Sequence, residues 1–389
     1  MDKASEKENY LNILDYIFYY GIFPFSEMPF TINDSLVFSA ISYLPFESVA
    51  FHKGETISSL CSKLLKNYHY RNELKPSQKE FFYLIISLIS SDRYKDLIIE
   101  DYETKVSDED NLQYGAITIR FSNGIVISYR GTDNSFTGWK EDFDLCCYDK
   151  ISSHDIALDF ARRSIKGIKK GEQVYICGHS KGGNIAVFVS TMIEEKYQNR
   201  ITDVISIDGP GLSKKVFDSS EHKRIQSRLI HIVPVDCLIG VLLNHENITH
   251  VVKSYPKNDI FNQHNLFAAV TNGIELETVE DRSPLSYYVS KSCDEFLTYT
   301  ISTRTERETF FTELFQVIDV MGIKNPEYIF EHTNTFIRKF LFLNENIYDS
   351  KKKKKLVNIF REFMSCFSKN LNDYRKENKL YQKKLLEKK

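Results

Sequence analysis

The spacing of apolar residues changes twice along this chain, and each change marks a change of architecture. From residue 9 to about 100 the spacing is mostly helical. Leu11, Leu14, Tyr16, Ile17 and Phe18 form one stripe, a break runs from Gly21 to Pro29, and Asn33-Asp34 precedes a second apolar run over 36–44. Pro76-Ser77 opens a further helix carrying Tyr83, Ile85, Ile86 and Ile89. Strand patterns begin after that. Runs rich in β-branched residues at 116–121 and 125–129 flank Ser122-Asn123-Gly124, whose Asn-Gly pair predicts a hairpin turn. The pattern then alternates: helix at 154–169, strand at 174–177, helix at 182–197, then strands at 204–207, 229–233 and 249–254. Short buried strands alternating with helices predict a mostly parallel sheet covered on both faces. The last hundred residues return to helical spacing, as at 313–321 and 337–343, and no internal repeat is visible. The expected organisation is a helical N-terminal segment (1–100) packed on an α/β core (101–290), with a helical C-terminal extension (291–389) ending in a basic tail.

Composition narrows the class. With 28 Phe and 23 Tyr among 389 residues, the chain has the apolar bulk for a large core. No run approaches the roughly 20 apolar residues of a spanning helix, and the charged stretch Met1 to Glu8 lacks the apolar core of a signal peptide. The seven cysteines are scattered, with no C-x-x-C pair or His/Cys cluster, so reduced thiols in a cytoplasmic protein and no metal are expected. The formal net charge of −2 hides an asymmetry, because residues 351–389 carry 14 Lys/Arg against 4 Asp/Glu. The body is therefore acidic and the tail basic, and nothing beyond tail charge points to nucleic acid.

The densest chemical signal is Val174-Tyr175-Ile176-Cys177-Gly178-His179-Ser180-Lys181-Gly182-Gly183-Asn184. An apolar strand runs into G-x-S-x-G and a helix-forming segment follows. A serine on a strained strand-to-helix turn needs neighbours without bulk two residues away, and glycine supplies that. The Lys181 N–H at the helix start then points to where an oxyanion would form. This context predicts a nucleophile elbow in an α/β-hydrolase fold, with Ser180 as nucleophile and no cofactor. A serine needs a base and the base an orienting carboxylate, in chain order Ser, acid, His. The acid candidates at strand ends are Asp236 and Asp208. Asp236 is preferred because the acid usually lies one strand further from the elbow, and Asp208 is the alternative, whose structural role would be to shape its Gly209-Pro210-Gly211 turn. His264, in a polar loop after the last predicted strand, is the best base. His231 and His250 fall in or at strands and read as structural, with His245 in reserve. The second oxyanion donor is expected from Tyr129-Arg130-Gly131-Thr132, through the Thr132 N–H with its hydroxyl as a second candidate donor; a plain turn with Arg130 in a structural ion pair is the competing reading.

Tyr129-Arg130-Gly131-Thr132 with Trp139 and Asp142, then Gly178-His179-Ser180-Lys181-Gly182-Gly183, then Val233-Pro234-Val235-Asp236, resemble the class 3 lipase family. Together with the segment from Leu14-Asp15-Tyr16 to Ser42-Tyr43-Leu44, Asp208-Gly209-Pro210-Gly211 and Gln263-His264, they look closer still to a bacterial lipase-like family common in Firmicutes. The resemblance spans roughly residues 10–290. It implies an ester hydrolase acting on lipid or acyl esters, with Ser180, Asp236 and His264 as triad and Thr132 at the oxyanion hole. Lys181 departs from the leucine or glutamine that secreted lipases carry after the serine. In the tail, Leu356, Ile359, Phe360, Phe363, Met364 and Phe367 lie at helical spacing beside Lys351–Lys355, which suits a partly packed solvated helix or a peripheral one drawn to anionic lipid. A non-catalytic lipase-fold module that binds an acyl ligand or a protein partner is the reading from a different class.

Overall fold

Continuous apolar strands belong in the middle of a sheet covered on both sides, and that is where these lie. The computed structural model describes residues 10–67, 76–133, 135–256, 259–323, 328–329, 332, 335–336, 338–339 and 350–387. Seven strands, β1 (Ile98–Ser107), β2 (Leu112–Phe121), β3 (Gly124–Tyr129), β4 (Gln173–His179), β5 (Asp203–Ile207), β6 (Leu229–Pro234) and β7 (His250–Val252), stand side by side in chain order. A two-strand pair, β8 (Thr271–Asn272) with β9 (Glu275–Leu276), lies apart, and β10 (Thr278–Val279) closes the far edge of the main sheet against β7. Strands β3 to β7 are parallel, whereas β1, β2 and β10 join antiparallel. This is an α/β fold: a mixed, mostly parallel sheet flanked by helices.

Chain-ordered parallel strands joined by right-handed crossovers put their connecting helices on one face. On that face α6 (Ser152–Lys166) and α7 (Lys181–Met192) pack over Ile125, Ile127, Tyr129, Val174, Ile176 and Val204. The opposite face would be left bare. It is covered by the first four helices, α1 (Ile13–Tyr20), α2 (Ile32–Ile41), α3 (Ile57–Asn67) and α4 (Pro76–Ser90), which bury Ile117, Ile119, Val126, Tyr175, Cys177, Ile205 and Ile207. Alternate residues of β4 thus enter different cores. Asp34 in α2 anchors this layer: fully buried, it accepts hydrogen bonds from Arg93 Nε (2.8 Å), Tyr94 Oη (2.5 Å) and the Thr31 N–H (2.7 Å). Arg93 in turn caps the carbonyls of Phe23, Met28 and Pro29, so neither charge is left unpaired in the core.

One difference from the sequence reading has a physical reason. The helical spacing read to residue 100 gives way at Ile98, where β1 begins. Its run Glu100, Asp101, Glu103 and Lys105 has no apolar alternation, because β1 is an edge strand whose Asp101 and Glu103 pair with Arg163 of α6. At the other end, α12 (Pro284–Glu295), α13 (Arg304–Val320) and α14 (Ser350–Glu387) build the C-terminal layer, in the order they follow short helices α8 (Glu195–Gln198), α9 (Lys214–Phe217), α10 (Ser220–Ile225) and α11 (Ile260–Gln263), with α5 (Phe136–Asp144) before α6. Ile359 and Phe360 of α14 are buried there, and the Phe363 ring lies 5.0 Å from that of Phe296, so this part of the apolar stripe faces protein. Most of the expected helix at 337–343 lies outside the described residues. Among the described residues no helix is long and apolar enough to cross a membrane. All seven cysteines are free.

Candidate active site

Ser180 sits between the end of β4 and the start of α7 with φ 58° and ψ −131°, a conformation that L residues adopt only when their surroundings enforce it. The glycines around it explain how the turn closes. A Cβ on Gly178 would fall 2.2 Å from the Gly182 carbonyl oxygen, and one on Gly182 would fall 2.1 Å from that of Tyr129. The Ser180 N–H is tied to the Ile207 carbonyl of the next strand at 3.0 Å, and its own carbonyl accepts from Gly183 and Asn184. The side chain remains partly exposed.

His264 follows α11, and its Nδ1 lies 2.5 Å from Oδ2 of Asp208, which is 3% exposed at the end of β5. Burial alone would raise the Asp208 carboxyl. The neighbouring His264 and the hydrogen bonds from it and from Cys237 outweigh burial and hold it below the ordinary value. The other oxygen, Oδ1, accepts from the Gly240 N–H and from Cys237 Sγ, both at 2.9 Å. Gly240 has to be glycine for this approach, since a Cβ there would lie 2.6 Å from that oxygen.

The Asp236–His264 pairing expected from sequence is therefore corrected: Nδ1 of His264 meets Asp208. Asp236 is also buried, but its Oδ2 accepts from Gln263 Nε2 at 2.6 Å, its Oδ1 from the Ser283 hydroxyl, and its N–H donates to Gln263 Oε1 at 2.8 Å. It braces the residue before His264. Both aspartates end strands, and the difference lies in which strand end the His264 loop folds over. His231 is buried in β6, His250 opens β7, and His245 Nδ1 bonds the Glu246 carbonyl; none of these bonds joins them to Ser180.

Gly131 brings the expected oxyanion loop against the serine, for a Cβ there would lie 3.1 Å from Ser180 Cβ and 2.5 Å from the His179 carbonyl oxygen. Thr132 follows directly. Its hydroxyl is 2.7 Å from Asp142 Oδ1 in α5, so the hydroxyl is engaged there and the main-chain N–H is the group left to serve an oxyanion. Burial raises the Asp142 carboxyl to about 6, against the opposing pull of Lys181 and the Thr132 hydrogen bond. Arg130 pairs with Glu47 at 3.2 Å, the structural role weighed for it.

Lys181 places its N–H in the first turn of α7, where no earlier helical carbonyl is available to accept it. Its side chain turns the other way. Nζ lies 2.6 Å from Glu141 Oε2 and 2.6 Å from the Gln113 carbonyl, and both charged side chains are fully buried. Glu141 also accepts from the Gln113 and Ser153 N–H groups and the Ser153 hydroxyl. The charge beside the elbow is thus sequestered within the core.

Sequence reasoning passed over His179, the residue inside G-x-S-x-G. Its Nε2 lies 2.6 Å from the His264 carbonyl and its ring centroid 4.6 Å from that of His264, so the serine and histidine segments are joined through it. The motif itself contained that signal. Among the described residues no group of three or more His, Cys, Asp or Glu is placed to hold a metal ion.

Comparison with known proteins gives a sparse picture. No curated protein matches the chain. Among solved structures, the crystal structure of M37 lipase matches at 15% identity and a TM-score of 0.32, covering 53% of this chain and 68% of that one. The family model described as Mbeg1-like, a lipase-like family, matches residues 88–316, which hold Ser180, Asp208 and His264. That stretch is more than half of the chain, and the chain belongs to the Mbeg1-like family.

Proposed function

We propose that the protein is a serine hydrolase of the α/β-hydrolase fold that cleaves carboxylic esters, with acyl or lipid esters as its substrate class. The observation that carries this reading is the strained Ser180 turn, joined through His179 to the segment of an imidazole whose Nδ1 is held by the buried Asp208 carboxylate. In the first step His264 Nε2 takes the Ser180 proton as Oγ attacks the ester carbonyl. The imidazolium then gives that proton to the leaving alcohol, and water releases the acid from the acyl-enzyme by the same route. Asp208 keeps the proton on Nδ1 and stabilises the imidazolium. The N–H groups of Lys181 and Thr132 hold the oxyanion, a donor of this kind being worth about 10²–10³ in kcat. Burial of the Lys181 ammonium against Glu141 favours a neutral acyl chain near the elbow over an anionic one. The lipase-like family supports the ester class.

The test compares wild type with Ser180→Ala on p-nitrophenyl esters from acetate to palmitate, alongside labelling by a fluorophosphonate probe. Wild type is expected to hydrolyse at least one ester and to label at Ser180, and the variant to do neither. A wild-type protein that neither turns over nor labels would sink the reading.

A further inference from the structure

The mechanism above makes no use of Tyr43, which lies just past α2, outside the residues the family model matches. Its hydroxyl is 2.8 Å from Nδ1 of His179. The direction of that bond follows from the one on the far side of the ring. His179 Nε2 faces the His264 carbonyl oxygen, which only accepts, so Nε2 carries the proton. Burial and the adjacent His264 push His179 down to about 3, so the ring is neutral near pH 7 and has a single N–H. Nδ1 is then an acceptor and Tyr43 donates to it. Burial also pushes the Tyr43 phenol up, which keeps that proton in place.

The same oxygen has a second contact. A Cβ on Gly131 would lie 2.1 Å from it, so the oxyanion loop rests against this hydroxyl. One phenol therefore packs against the glycine that precedes Thr132 and donates to a neutral imidazole that itself donates to the backbone of the base.

We propose that Tyr43 is a positioning residue that sets the distance between the oxyanion loop and His264, acting through His179, so that the N-terminal helical layer completes the active site. The inference rests on the hydrolase reading and goes beyond it, because the Tyr43 hydroxyl bonds His179 rather than the Ser180 or His264 side chain. Its ring packs against Phe81 at 6.2 Å between centroids, a contact that Tyr43→Phe retains.

The experiment measures ester hydrolysis and the rate of fluorophosphonate labelling for wild type, Tyr43→Phe, His179→Ala and the double variant, with thermal unfolding as the folding control. Tyr43→Phe is expected to lower kcat about 10- to 100-fold with KM nearly unchanged and to slow labelling in proportion, while the melting transition stays close to wild type. Because Tyr43 acts through His179, the double variant should be no slower than His179→Ala alone. Wild-type kcat in Tyr43→Phe, or losses that simply multiply in the double variant, would overturn the inference while wild-type labelling leaves the hydrolase reading standing. A wild-type protein that never labels would remove both.

Discussion

Replacing Asp208 by Asn tests the corrected assignment more sharply than deleting it would. The Oδ1 side of Asp208 is fixed by two donors, the Gly240 N–H and Cys237 Sγ–H, each at 2.9 Å. An asparagine keeps its carbonyl oxygen there, since turning the amide over would set N–H against N–H. The NH₂ group must then occupy the place of Oδ2, 2.5 Å from His264 Nδ1. An amide N–H donates, so Nδ1 becomes the acceptor and the imidazole proton moves to Nε2. That nitrogen can no longer accept the proton of Ser180. The expected loss in kcat is about 10⁴, the size found when a triad acid becomes its amide, or about 5 kcal/mol of transition-state stabilisation at about 1.36 kcal/mol per decade.

Asp236→Asn is the matched control. Its oxygens accept from Gln263 Nε2 and the Ser283 hydroxyl, and none of these bonds sets the protonation of His264. Disturbing the residue before the base should cost about 10-fold or less in kcat. The assay is kcat and KM on the best p-nitrophenyl ester, with thermal unfolding to show that both variants fold. If Asp236→Asn proves slower than Asp208→Asn with both folded, the assignment of Asp208 as the orienting acid is refuted.

Two further outcomes are expected. Lys181→Met strands the fully buried Glu141 carboxylate beside Gln113 and Ser153 and should cost about 3–5 kcal/mol in urea unfolding, with Lys181→Met/Glu141→Gln, whose amide oxygen still accepts from those groups, recovering part of it; a single variant of wild-type stability would contradict the buried pair. For Asp142, raised from 3.8 to about 6 in the fold, the native state holds a proton that the unfolded chain has lost, so its contribution to stability falls as pH rises from about 4 to 6. Asp142→Asn should remove that part of the slope in unfolding measured across this window, and an unchanged slope would show that the carboxyl is not raised.

Why some of the site was legible in the chain and some was not comes down to the range of the forces involved. Ser180 was legible because its strain is local: Gly178 and Gly182 must lack side chains for the turn to close, and that leaves a mark within five residues. His264 was legible from chain order and its polar loop. The choice between Asp208 and Asp236 was not, because each ends a parallel strand and each is buried. Only the placement of the 259–264 segment decides which carboxylate meets Nδ1 and which clasps Gln263. Lys181 read as a charge beside the nucleophile because a buried ion pair depends on a partner forty residues away. Tyr43 entered the family resemblance but its place at the site was not legible, as its neighbours Gly131, His179 and the Phe81 ring come from three distant segments. The same holds for β1, whose charges are matched by Arg163 and Arg120 rather than by anything in its own pattern.

The helix α5 shows how the C-terminal extension is joined to the site. One side of α5 carries Glu141 towards Lys181 and Asp142 towards Thr132. Gly138 lets this side close on the loop, for a Cβ there would lie 2.7 Å from Thr132 Cγ2. The other side presents Phe136, Trp139 and Phe143, three and four residues apart and so on one helical stripe. These pack on the C-terminal layer, with Phe143 4.4 Å from Phe311 and Phe136 6.3 Å from Phe315 between ring centroids. Trp139 and Asp142, read at first as parts of one motif, therefore answer to different neighbours: the tryptophan seats the helix on the extension and the aspartate holds the oxyanion loop. A rigid helix cannot shift on one face without shifting on the other, so the aromatic packing on α13 and the position of Thr132 are held by the same element.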